Sequence, residues 1–309
     1  MKYQLLEVGI FDYYSVRKIF NLKIRLKDWR EKMRSDIDFI VACMLRDAAS
    51  DEIQTVQTGH RIKLAEFWGI KEGDKVLEVG CGQGDTTAVL AYHVGKTGSV
   101  YAVDIASPDY GAPFTLAQST YHLLQSELGS RIEFKLETDI LRGDLAFDEG
   151  TFDVAVISHA SWYFSSKTEL LEMFRVLKKW AKRICFAEWN PRLTDPRQES
   201  HLLAVLVQAQ YEAFKSETES NVRTFITPDD IAEMAQSQGW QVTREGDVWT
   251  REMQDAGWET SFVVNHIADE IAKQDALPAK FKELLLTQAN LIRVDTVLPM
   301  SSYCCVIEG

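Results

Sequence analysis

The segment Lys75-Val76-Leu77-Glu78-Val79 runs without a break into Gly80-Cys81-Gly82-Gln83-Gly84, and this junction constrains the fold more than any other part of the chain. The apolar run, preceded by the turn pair Gly73-Asp74, reads as a short buried strand. Three alternating glycines let the backbone take positive φ angles and let a ligand approach the main chain without Cβ contacts. In an open α/β sheet, ligands sit where a strand's carboxyl end turns into the next helix.

Strand and helix keep alternating beyond the junction. A helix is expected over Asp85–Val94, closed by Gly95 and Gly98, then a strand Ser99–Asp104, a helix near Phe114–Leu128, and a third strand with Ile132, Phe134 and Leu136 on one face. Val154–Ser158 is a continuous apolar run, as in a central strand covered on both faces. A helix near Thr168–Trp180 and a fifth strand, Arg183–Glu188, follow. This pattern implies a doubly wound, mostly parallel α/β sheet.

After Glu188 the alternation breaks. Leu193–Ser220 reads as an added helical segment, and Thr227-Pro228-Asp229-Asp230 as a helix start, with Thr227 capping and acidic residues at the positive helix end. That helix ends at Gly239. A sixth strand over Trp240–Thr243, a second helical stretch over about Arg251–Arg293 and a last strand, Tyr303–Ile307, complete seven strands. Residues 14–68 are mostly helical in pattern. With no repeat or Pro/Gly-rich linker, one core with additions fits best: an N-terminal helical extension (1–60), a core (61–189, 223–248 and 295–309) and helical insertions (190–222 and 249–294) that read as a lid.

Charge narrows the partners. The 46 acidic against 34 basic side chains give a formal charge of -12, which would repel a phosphate backbone, so no nucleic acid is expected. No apolar run approaches the roughly 20 residues that span a bilayer, and no signal-peptide core follows Met1. A cytoplasmic protein without a membrane partner is expected, and a homodimer stays open. The five cysteines, Cys43, Cys81, Cys185, Cys304 and Cys305, lack metal-ligand spacing and read as reduced, mostly buried thiols.

Asp104, at the tip of the second strand and 20 residues beyond Gly84, is placed to accept hydrogen bonds from a ribose diol. The ligand is therefore a nucleoside. A nicotinamide or flavin dinucleotide needs G-x-G-x-x-G/A, whereas Asp85 stands at the last position here and would repel a pyrophosphate at the helix N-terminus. A P-loop is excluded because no Lys-Ser or Lys-Thr follows the glycines.

Val76-Leu77-Glu78-Val79-Gly80-Cys81-Gly82-Gln83-Gly84 resembles the first motif of the class I S-adenosylmethionine-dependent methyltransferases. Val103-Asp104-Ile105-Ala106 is similar to their ribose-binding strand end, and Glu137-Thr138-Asp139-Ile140 to the segment whose acidic residue meets the adenine amino group. Phe152–His159 resembles the fourth-strand motif beside the methionine part, and Ala187-Glu188-Trp189 matches the fifth-strand ending more loosely. The resemblance implies a Rossmann-like methyltransferase fold with an antiparallel last strand. It implies S-adenosylmethionine held by Glu78, Gly80, Cys81, Gly82, Gly84, Asp104, Ile105, Thr138, Asp139, Ile140 and Ser158, with Glu78 near the methionine amino end. His60 and Arg61 lie where some relatives send a polar side chain to the cofactor carboxylate.

The resemblance also puts His159 near the transferring methyl group, where a histidine can take a proton from a hydroxyl or amine. Glu188 is the second candidate base. Trp162, Tyr163, Trp189, Tyr211 and Phe214 are candidates for an acceptor pocket, since aromatic faces suit a flat substrate and a sulfonium. No metal-ligand cluster can be assembled, so none is expected. The implied activity is methyl transfer to a small-molecule acceptor by direct displacement. The alternatives are a non-catalytic or regulatory protein that binds the same cofactor and, disfavoured by Asp85, a dehydrogenase.

Overall fold

A computed structural model describes residues 31–47, 50–215 and 220–309; residues 14–30 of the expected N-terminal helical region lie outside them. Two helices, α1 (31–42) and α2 (Asp51–Trp68), precede the sheet. Then come β1 (Lys75–Val79), α3 (Asp85–His93), β2 (Ser99–Val103), α4 (Leu116–Leu124), β3 (Ile132–Lys135), β4 (Val154–Ser158), α5 (Lys167–Trp180) and β5 (Arg183–Trp189). Helix α6 (Glu199–Glu212), α7 (Pro228–Ser237), β6 (Gln241–Val248), α8 (Asp255–Lys273), α9 (Ala279–Ala289) and β7 (Ser302–Glu308) complete the chain.

The strands form one sheet in the order β3-β2-β1-β4-β5-β7-β6. β1 pairs in parallel with β2 and β4, whereas β7 runs antiparallel to both β5 and β6. Side-chain alternation sends Leu77, Ala155, Ile157, Ile184 and Phe186 to a core shared with Leu170, Phe174 and Leu177 of α5 and Ile231 of α7. Val76, Val154, Val156 and Cys185 face the opposite layer, with Ile40 of α1, Ile62, Ala65 and Trp68 of α2 and Val89 of α3. Both faces are thus covered, which explains the unbroken apolar run of β4.

Helices α6, α8 and α9 pack on one another around a third cluster that includes Val207, Val263, Ile267 and Leu285. The single helical stretch expected over 251–293 is two helices, divided around Pro278. The sixth strand also runs on to Val248. Its segment Arg244-Glu245-Gly246-Asp247 is charged and mostly exposed, as suits an edge strand, and β7 pairs with it past an irregularity between Val242 and Arg244. At α7 the expected cap forms: Thr227 and Asp230 make a reciprocal capping box, with Pro228 in the first turn.

Leu77 is fully buried at the centre of the sheet. Leu77→Ala is expected to cost about 3 kcal/mol, measured by urea unfolding; a loss within ~0.5 kcal/mol would contradict this packing.

Candidate cofactor-binding site

The carboxyl end of β1 meets that of β2 at the glycine loop. The N–H groups of Gly80 and Cys81 donate to the Val103 carbonyl at 2.9 and 3.1 Å, and Gly82 N–H donates to Asp104 Oδ2 at 2.7 Å. Asp104 Oδ1 accepts from Ala106 N–H at 2.8 Å. One carboxylate therefore fixes both the loop and the strand end. Gly80 has φ +77°, and a Cβ there would lie 2.6 Å from that of Ala160. Gly82 has φ +52° with nothing within 4 Å of a Cβ, so its bare backbone faces open space.

That space is a cavity of about 520 Å³. Gly80, Cys81 and Gly82 line one side, Asp104, Ile105, Thr138, Asp139 and Ile140 another, and Ser158 and His159 the floor beyond β4. Ser158 Oγ is buried without a hydrogen-bond partner among the described residues. Asp139 caps the turn that follows it, its Oδ1 accepting from Leu141 N–H at 2.8 Å and its Oδ2 lying 3.1 Å from Arg142 Nε.

The charge at the start of α3 matters for the ligand. Asp85 accepts from Gln54 Nε2 at 2.9 Å and lies 3.7 Å from Arg61. Its carboxylate occupies the helix end that a diphosphate would need. Arg61 lines the cavity, held by Thr86 Oγ1 at 3.3 Å and Gln57 Oε1 at 2.7 Å.

The sequence profile of the ubiE/COQ5 methyltransferase family matches residues 52–243. This chain belongs to that family. A crystallised cyclopropane-fatty-acyl-phospholipid synthase-like protein from Lactobacillus casei has a TM-score of 0.82 to it at 33% identity, covering 89% of this chain and 100% of that one. Methyltransferase phomM' of Diaporthe leptostromiformis is 28% identical over 68% of this chain and 64% of its own length. The chloroplastic 2-phytyl-1,4-beta-naphthoquinone methyltransferase of Arabidopsis thaliana is 31% identical over 42% of this chain and 49% of its own. The chain thus spans less than two thirds of these curated relatives.

Membership makes S-adenosylmethionine the cofactor, and the cavity fits it. Its size, the open backbone at Gly82, the Asp104 carboxylate and the Ser158 hydroxyl, unpartnered among the described residues, all suit a nucleoside that carries no phosphate. Among the described residues no cluster of three or more His, Cys, Asp or Glu side chains is set to hold a metal.

Other expected site residues are placed elsewhere. Gly84 caps α3, packed near Phe134 and Leu123. Glu78 is sealed behind the loop, accepting from Thr87 Oγ1 at 2.6 Å. Burial pushes its carboxyl up to about 8, against a weaker opposing pull from the Thr87 hydrogen bond and Arg61. Burial likewise pushes the Cys81 thiol up.

His159 has φ +51° and lines the cavity, yet its Nε2 lies 3.1 Å from Ser302 Oγ. Its solvent-inaccessible Nδ1 lies 3.3 Å from Glu188 Oε1, an ion-pair distance without good hydrogen-bond alignment. Glu188 is buried and accepts from Ser161 Oγ at 2.7 Å.

Of the five aromatic candidates, Tyr163 lines the cavity. Trp162 instead donates its indole N–H to the Ile226 carbonyl, and Trp189 packs among His60, His159 and His201. Tyr211 is buried against α8, its hydroxyl on the Glu270 carbonyl, and Phe214 packs on Phe281. Trp162, Trp189 and Tyr211 are buried in packing, whereas Phe214 stays 42% exposed. Sequence reasoning missed Tyr110, Glu169 and Arg223, which line the mouth. No motif marks them, since they reach the cavity from loops and from α5.

Gly82→Ala is expected to leave the fold nearly intact but weaken S-adenosylhomocysteine binding about tenfold, or ~1.4 kcal/mol, by calorimetry. Gly80→Ala, forced against Ala160, is expected to cost stability itself, about 1–3 kcal/mol. Equal binding by wild type and Gly82→Ala would contradict the cavity assignment. For Glu78, the unfolded carboxyl ionises near 4.5 while the folded one stays neutral up to about 8. Stability is therefore full below about 4.5 and falls as pH rises towards about 8. Glu78→Gln should escape that fall, so denaturant midpoints of variant and wild type should diverge progressively across this window; parallel curves would refute it.

Proposed function

We propose that this chain transfers the methyl group of S-adenosylmethionine to a small, apolar or partly aromatic acceptor. The observation that carries this reading is the cavity between the glycine loop, Asp104 and His159, closed to a diphosphate by Asp85. Asp104 would take the ribose diol, Thr138, Asp139 and Ile140 the base, and Arg61 the amino-acid carboxylate. The cofactor supplies an electrophilic methyl group. The protein's work is then to align the acceptor, exclude water and, where the acceptor carries a proton, remove it.

His159 would be the base, with Glu188 stabilising the imidazolium. Ile105, Tyr110 and Tyr163 leave apolar surface at the mouth, being 61%, 45% and 41% exposed, which suits an apolar acceptor entering there. The named substrates of some relatives point the same way: 2-phytyl-1,4-beta-naphthoquinone for the Arabidopsis thaliana protein and demethylmenaquinone for one from Geobacillus. The five buried free thiols suit a reducing compartment, and we place the chain in the cytoplasm.

A second reading, a binding or regulatory protein, draws on His159, whose two nitrogens both face protein groups. Incubating the chain with methyl-labelled S-adenosylmethionine and quinone-rich and general metabolite extracts separates the two. Label in an apolar product, absent with Gly82→Arg, is expected. Tight binding without product across all extracts would overturn the enzymatic reading.

A further inference from the structure

Six polar side chains from five parts of the chain form one continuous line ending at the cavity floor. Lys63 Nζ lies 2.9 Å from Thr250 Oγ1, which lies 3.1 Å from His60 Nδ1. His60 Nε2 lies 3.0 Å from Ser302 Oγ, and Ser302 Oγ lies 3.1 Å from His159 Nε2. His159 Nδ1 then faces Glu188 at 3.3 Å. His60 and Ser302 are 1% and 0% exposed, so water does not compete for these contacts.

The two ends give the line a direction. An ammonium can only donate and a carboxylate can only accept. The order is set from the carboxylate end: with the His159 proton on Nδ1, facing Glu188, its bare Nε2 accepts from the Ser302 hydroxyl. Ser302 has then used its one proton, so a neutral His60 donates to it from Nε2, and the bare His60 Nδ1 accepts from Thr250, which accepts in turn from Lys63. Burial, then the neighbouring His159, holds the His60 pKa well below the usual histidine value, consistent with the neutral ring this ordering needs.

We propose that His60 and Ser302 are positioning residues that hold His159 as the Nδ1–H tautomer, the Ser302 hydroxyl resting on its basic Nε2 until a proton-bearing acceptor takes that place. The inference rests on the reading of His159 as the base. In the step, the acceptor gains a methyl group and loses a proton to His159, and Glu188 balances the imidazolium.

The test needs no acceptor. In protein labelled with ¹⁵N-histidine, near neutral pH, ring-nitrogen NMR distinguishes protonated from bare nitrogens, with His60→Gln and His159→Gln assigning the signals. His159 is expected to be protonated on Nδ1 and His60 on Nε2, opposite tautomers each in large majority. Ser302→Ala should shift both rings, taking His60 to a tautomer mixture. His159 protonated on Nε2, His60 protonated on Nδ1, or spectra unmoved by Ser302→Ala would overturn the proposal. If Ser302→Ala does not fold, the wild-type tautomers alone decide. Adding S-adenosylhomocysteine to the same wild-type sample tests the cofactor site separately, so failure of that reading is distinguishable from failure of the line.

Discussion

The hydrogen bond from Gly82 N–H to the Asp104 carboxylate ties the ends of two parallel strands into one binding surface. A backbone donor can reach that carboxylate because Gly82 takes a positive φ with no side chain in the way. The same carboxylate also holds Ala106. Each oxygen keeps acceptor capacity for a ligand hydroxyl, since a carboxylate offers about four acceptor positions. The sheet order puts β1 beside both β2 and β4, so the loop, Asp104 and His159 converge at one end of three adjacent strands.

Electrostatics then selects among nucleoside ligands. Asp85 at the start of α3 disfavours a diphosphate, and the neutral, buried Glu78 behind the loop adds no repulsion of its own at neutral pH. Arg61, anchored on Thr86 and Gln57, offers a cation where an amino-acid carboxylate could end. The floor beyond β4 has a different character: a strained His159 backed by a buried carboxylate and a serine from the last strand. The antiparallel β7 brings Ser302 beside both histidines.

The parallel half of the fold was legible in the sequence because its signals are local. β1 and β4 lie where continuous apolar runs put them, and the Thr227-Pro228 start does cap α7. β6 extended further than expected because its charged second half is specified by pairing with β7, a partner almost 60 residues away. The glycines at 80 and 82 and the strand-end acids Asp104 and Asp139 line a cavity. The aromatic residues did not report their roles, since Trp162, Trp189 and Tyr211 carry the same composition signal whether they line a pocket or fill a core. Arg223 and the His60–Ser302 contact depend on tertiary folding between distant segments, which no short motif encodes.

A crystal structure of the chain with S-adenosylhomocysteine would show where the nucleoside sits. The ribose diol is expected on the Asp104 carboxylate, the adenosyl group across Gly82 and the amino-acid end towards Arg61. A nucleoside seated away from the glycine loop, or a saturated titration in which the ligand leaves this cavity empty, would contradict this placement.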